Sequence, residues 1–183
     1  NWYPNKHTIV RNNVIEKVPG DGIVPIGCDS TLIEYNLMCD SPDILPMTEA
    51  AAGIWPWSCD NTIIQYNEVW GHKAPWDAQG FDSDYNCQNT LIQYNYSHDN
   101  YGGMVLICNS GNAGDYSCGN IGSIVRYNIS IGDGIRPKET RQGMFSPSIH
   151  IAGPVKQTLV ERNIIHANPK PSDAVDRTMI TSD

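Results

Sequence analysis

The chain has 183 residues, 40% of them hydrophobic and 17% charged, with a formal net charge of −8. That length suits one domain, residues 1–183, with a core of its own. The acidic balance argues against a nucleic acid or an anionic membrane as partner, and no apolar run is long enough to span a bilayer.

Two Phe stand against nine Tyr and five Trp, so most aromatic side chains carry a polar edge. The sequence opens Asn1-Trp2-Tyr3-Pro4, without Met or a visible signal peptide. It reads as a processed or excised piece, so remaining parts of a longer parent chain are expected among its partners.

Taken in order, the chain repeats one phrase: hydroxyl, two apolar residues, a polar residue, any residue, then Asn. The copies are Thr8–Asn13, Thr31–Asn36, Thr62–Asn67, Thr90–Asn95, Ser123–Asn128 and Thr158–Asn163, with the asparagines 23, 31, 28, 33 and 35 residues apart. A second phrase begins with glycine: Gly22-Ile23-Val24-Pro25-Ile26, Gly53-Ile54-Trp55-Pro56-Trp57, Gly80-Phe81-Asp82-Ser83-Asp84 and Gly103-Met104-Val105-Leu106-Ile107. A third marker is Cys28, Cys59, Cys87 and Cys118. Each unit holds two or three short strands between turns, with no helical period.

These features predict an all-β chain: a right-handed parallel β-helix, or solenoid, of about six coils. The same strand of successive coils then pairs in register at about 4.8 Å, so equivalent residues stack. The asparagines stack as a ladder at a bend, where their amides satisfy buried polar groups. The Cys28, Cys59 and Cys87 thiols stack unbridged, and Cys108 and Cys118, which bracket a loop, are the pair best placed for a disulfide. Extra length falls at residues 40–47, 109–116 and 132–142, and such insertions usually decorate the binding face. The last unit is the least regular, and no polar cap closes either end, which again suggests part of a longer helix.

The six phrases resemble the PbH1 repeats of the pectin lyase-like right-handed parallel β-helix proteins, which include pectate lyases, polygalacturonases and other carbohydrate-active families. The resemblance covers nearly the whole chain. It implies a secreted, extracellular or periplasmic protein acting on a carbohydrate polymer, without specifying the reaction.

The candidate site is the stretch from Gly80. Asp82 and Asp84 alternate with Phe81 and Ser83, which turns both carboxylates to the outer face of a strand and Phe81 inward. Aligning the glycine phrases puts Trp55, Asp82 and Val105 in one column and Trp57, Asp84 and Ile107 in the next. Carboxylates beside indole platforms suit a sugar subsite, with Asp82 and Asp84 catalytic and Trp55 and Trp57 binding substrate. The plainer alternative is that the indoles cover a loop and the aspartates hold a turn. Cβ atoms about 6.5–7 Å apart overlap the separation of inverting rather than retaining hydrolysis.

His98, beside Asp99, shares a column with Glu16, Cys39, Trp70, Ile131 and His166. It is a candidate base, although neighbours in sequence seldom face each other. His150, counted back from Thr158, falls in the Asp82 column about 10 Å away, and is a second catalytic candidate. Arg136 and Lys138, on the fifth-coil loop, are candidates for holding substrate, or with Arg141 for the base of a lyase; a solvated loop is the alternative. The sequence establishes no cofactor, and Ca²⁺ is the one candidate. Under the lyase reading, Asp82, Asp84 and Asp99 would bind Ca²⁺. The leading expectation is a glycoside hydrolase using Asp carboxylates, with a Ca²⁺-dependent polysaccharide lyase and a non-catalytic glycan-binding or adhesin-like solenoid as alternatives.

Overall fold

The computed structural model describes residues 3–109, 119–167 and 178–182. Among these, the regular elements are short β-strands, and every strand pair is parallel. Three sheets wind around one core, as a right-handed parallel β-helix requires.

The first sheet collects the repeated phrase: Ile9–Arg11, Leu32–Glu34, Ile63–Gln65, Leu91–Gln93, Ile124–Arg126 and Leu159–Glu161. Its central residues form one inward column, Val10, Ile33, Ile64, Ile92, Val125 and Val160. The second sheet follows after each asparagine: Val14–Glu16, Leu37–Cys39, Glu68–Trp70, Tyr96–His98, Ile129–Ile131 and Ile164–His166. Its inward column is mixed, passing from Met38 and Val69 to Ser97 and Ser130. The third sheet holds Phe81–Ser83, Val105–Cys108, Ile149–Ala152 and Ile180–Ser182, and single bridges extend it back through Ile54 to Ile23.

The bend between the first two sheets explains the invariant end of the phrase. The residue before each asparagine, Tyr35 for example, sits at φ 55°, a left-handed turn that would leave backbone groups unpaired. The asparagine supplies the missing partners. Asn67 Nδ2 donates to Asn95 Oδ1 at 3.1 Å and to the carbonyls of Ile33 and Gln65, and its own Oδ1 accepts from Asn36. The same pattern links Asn13 to Asn36, Asn95 to Asn128, and Asn128 to Asn163. Outside the bend, Tyr35, Tyr66, Tyr94 and Tyr127 stack with centroids 5.2–5.3 Å apart.

Cys28, Cys59 and Cys87 pack together as free thiols, and Cys108 is also free. Cys118, and with it the expected bridge to Cys108, lies outside the described residues. So does most of the 109–116 insertion.

The third sheet departs from the expected columns by one residue. Phe81, not Asp82, pairs with Val105, so Asp82 lies beside Leu106. The cause is Met104: the Gly80 N–H bonds to the Gly103 carbonyl, but the Phe81 N–H bonds to that of Met104, whose side chain is an extra core residue. Val105 and Ile107 therefore point inward and are fully buried, and Leu106 and Cys108 share the face of the aspartates. The phrase glycines let the coils approach. A Cβ on Gly53 would lie 2.3 Å from the Gly80 carbonyl oxygen.

Candidate functional site

Outside the third sheet lies a cleft of about 500 Å³. Its floor carries Asp82, Asp84, Leu106 and Cys108. Trp55, Trp57 and Tyr85 form one wall, with Trp57 6.1 Å from Trp55 and 5.3 Å from Tyr85 between ring centroids. Trp76 and Asp77, a short strand paired with Ala50–Ala51 of the coil before, and Gln142 and Phe145, from the fifth coil, line it as well.

Alternation places Asp82 and Asp84 on the cleft side, with Phe81 and Ser83 inward. The face is not open, however: Asp82 is only 3% exposed, because the insertions roof it over. One oxygen of each carboxylate and the Cys108 sulfur lie within 4.8 Å of one another. That brings the two carboxylates and the thiol close enough to feel one another's charge.

Each carboxylate has a distinct environment. The Cys108 thiol donates to Asp84 Oδ1 at 3.1 Å, and the Tyr85 N–H donates to the same oxygen at 2.6 Å. Burial still raises the Asp84 pKa, and these two bonds oppose it. Asp82 Oδ1 has no hydrogen-bond partner, and burial, reinforced by Asp84 and Asp77, holds its proton well above the usual carboxylate range. Burial, then Asp84, raises Asp77 to about 7. Asp21 has a structural part: its Oδ1 accepts from Trp55 Nε1 and the Ala52 N–H, both at 2.9 Å, which fixes the indole.

The structure thus brings together Asp82, Asp84, Trp55 and Trp57. His150 does share the Asp82 column, through Leu106, but it lines a neighbouring hollow with Phe145 against its ring at 4.7 Å. His98 is on the second sheet, in the expected column, away from the cleft. Its neighbour does face it: Asp99 Oδ2 lies 2.8 Å from Nδ1 and Glu68 Oε1 3.0 Å from Nε2, with Trp70 and Tyr96 stacked alongside. Asp99, bound there, does not join Asp82 and Asp84, so the expected Ca²⁺ trio is not assembled. Arg136 is 2% exposed and bonds to backbone carbonyls, so it cannot hold substrate; Lys138 is exposed on the loop and does not line the cleft.

The sequence reading missed Asp77, Trp76, Asp21, Tyr85 and Cys108. Asp77 lies on a short strand outside the three repeated phrases, paired only with Ala51 of the coil before among the described residues, and Cys108 is reached only through the Met104 offset. The adjacent Trp76-Asp77, three residues before Gly80, was the one available signal.

Compared with known proteins, the chain matches over residues 2–120 the family described as "Right handed beta helix region". No curated protein matches it. Among solved structures, native GH136 lacto-N-biosidase from Eubacterium ramulus is similar with a TM-score of 0.57 and 25% identity, over 87% of this chain and 28% of that one. Its selenomethionine derivative gives 0.58 and 27% over the same shares. This chain therefore spans 28% of the length of those enzymes. With the family match covering more than half of its residues, the chain belongs to the right-handed β-helix family.

Proposed function

We propose that the cleft hydrolyses a glycosidic bond of an oligosaccharide, with Asp77 as proton donor and Asp84 as the carboxylate facing the anomeric carbon. The observation that carries this reading is the convergence of differently poised carboxyl groups in one aromatic-walled cleft, with Asp77 protonated up to about pH 7. Asp77 passes its proton to the glycosidic oxygen as the C–O bond breaks. Asp84, which keeps two hydrogen bonds to its ionised form, stabilises or captures the positive charge at carbon. Asp82, kept neutral behind it, avoids a second negative charge at the floor. Trp55 and Trp57 offer apolar surface to sugar C–H groups.

The similar enzymes' name, lacto-N-biosidase, suggests the first substrate to try, a chromogenic lacto-N-bioside, before a wider oligosaccharide panel. Carboxyl groups line the cleft, and Arg141, a candidate base of a lyase, is engaged over the Trp76 ring at 4.3 Å, which favours hydrolysis over elimination from a uronate. The proposal includes a secreted or periplasmic location, tested by fractionating the producing cells. Asp77→Asn and Asp84→Asn are each expected to lower turnover about 10²–10⁴-fold with the fold retained. Rate should fall above about pH 7 as Asp77 loses its proton. Retention or inversion in the first-formed product assigns Asp84 as nucleophile or as base to water. Native turnover in Asp77→Asn, or glycan binding without cleavage across the panel, would sink the reading. An unsaturated, ultraviolet-absorbing product would replace it with a lyase.

A further inference from the structure

The segment that carries Asp77 into the cleft has a conformation that L-residues avoid. Asp77 at φ 58° and Ala78 at φ 60° are consecutive left-handed residues, and neither is glycine. Such backbone persists only where its surroundings over-determine it. Two features from other coils do so.

The first is Arg136. It reaches under the segment from the fifth coil, and its Nη1 donates to Ala74 O at 3.1 Å and Pro75 O at 2.5 Å, its Nη2 to Asp77 O at 2.6 Å. All three of these bonds go to the backbone of one short segment. The second is Gly102. A Cβ there would lie 2.2 Å from the Asp77 carbonyl oxygen and 2.5 Å from the Ala78 carbonyl carbon, while the Gly102 N–H donates to Ala78 O. The two supports are tied together: the Gly134 N–H bonds to Gly102 O, and the Arg136 N–H to Tyr101 O.

Burying a guanidinium is costly, and a core of this kind does not need one. We propose that Arg136 is a positioning residue, holding the Ala74–Asp77 backbone so that the Asp77 carboxyl faces the cleft and setting the field that the carboxyl feels. The inference rests on the reading of Asp77 as proton donor. It gives the fifth-coil insertion a part in catalysis without contact with substrate. The charged and titratable groups facing Arg136 are Asp77, Asp43, Tyr101 and His72; those facing Asp77 are Asp84, Asp82, Arg136, Asp21, Tyr85 and Cys108.

The test uses Arg136→Met, Arg136→Lys and Gly102→Ala, with Lys138→Ala as control. Three readouts are taken: the Asp77 carboxyl titration by carbon NMR, kcat and KM against pH, and thermal unfolding. Arg136→Met should lower kcat about 10²-fold, as a small misplacement of a reacting group does. KM should stay within about three-fold, because Arg136 does not line the cleft. Loss of the cation should also move the Asp77 titration upward, and with it the alkaline limb of kcat. Arg136→Lys keeps the charge but cannot span three carbonyls, so kcat should fall with the titration nearly in place. Should Arg136→Met fail to fold, Arg136→Lys and Gly102→Ala carry the test. Native kcat in both, or a folded Arg136→Met with native kcat and native Asp77 titration, overturns the proposal. An Asp77 titration that moves while the alkaline limb does not upholds Arg136 as the residue that holds Asp77, and removes Asp77 as donor. The two readings therefore fail separately.

Discussion

Asp77→Asn should make the protein less active and, at alkaline pH, more stable. The folded pKa of Asp77 is about 7 against 3.8 for an unperturbed carboxyl. Between those values the native state keeps a proton that the unfolded chain has released, so stability falls as pH rises through the window and levels off above about 7. Each pKa unit corresponds to about 1.4 kcal/mol, so the full penalty is about 4 kcal/mol, of which about 2.5 kcal/mol accrues between pH 5 and pH 8. Asparagine has no charge to desolvate. His98, Asp133 and His72 titrate in both proteins and cancel in the comparison. Urea unfolding of the two proteins at pH 5 and pH 8 measures the difference directly. The native protein should lose about 2.5 kcal/mol more than the variant over that interval. Parallel stabilities at the two pH values would refute the raised pKa, and with it the argument that Asp77 is protonated when substrate binds.

Three other outcomes follow from the geometry. Trp55→Ala should raise KM about ten-fold or more with a smaller change in kcat, measured by steady-state kinetics, because the indole is a platform fixed by Asp21 rather than a reacting group. Asn67→Ala strands the Ile33 and Gln65 carbonyls and the Asn36 N–H at a buried bend, and should cost about 3 kcal/mol or more in urea unfolding; a loss below about 1 kcal/mol would show that the bend does not depend on the amide. Cys59, Cys87 and Cys108, whose thiol pKa values burial raises, should react with a thiol reagent at neutral pH only after unfolding; fast reaction of the native protein would contradict their packing.

The fold was legible because it repeats. Each copy of the phrase places one apolar residue inward, one polar residue outward and one asparagine at a bend, and six copies leave little choice of register. The columns of Cys39, Trp70, His98 and Ile131, and of Asp82 with His150, follow from counting. Counting failed where a coil takes one extra residue. Met104 fills the core like any apolar neighbour, so nothing local marks it as an insertion, yet it swaps the faces of everything from Val105 to Cys108.

The site was half legible for a related reason. A strand periodicity can say that Asp82 and Asp84 share a face, but not whether that face meets water. Here segments outside the repeated phrases decide it: Trp76 and Asp77, just upstream in the same coil, close one side, Gln142 and Phe145 from the fifth coil another, and desolvation raises the carboxyls of Asp77, Asp82 and Asp84. The Trp76–Asp77 strand pairs with Ala50–Ala51 but carries none of the repeated phrases, so the carboxyl best suited to give a proton, Asp77, was the one the repeat could not locate. Arg136 shows the same limit from the other side. In sequence it looks like a loop cation free to meet a ligand. Only the three carbonyls it reaches, some sixty residues earlier, turn it into a support for the segment that carries Asp77. In a solenoid the coils supply the scaffold, and the chemistry depends on contacts between insertions that no single coil contains.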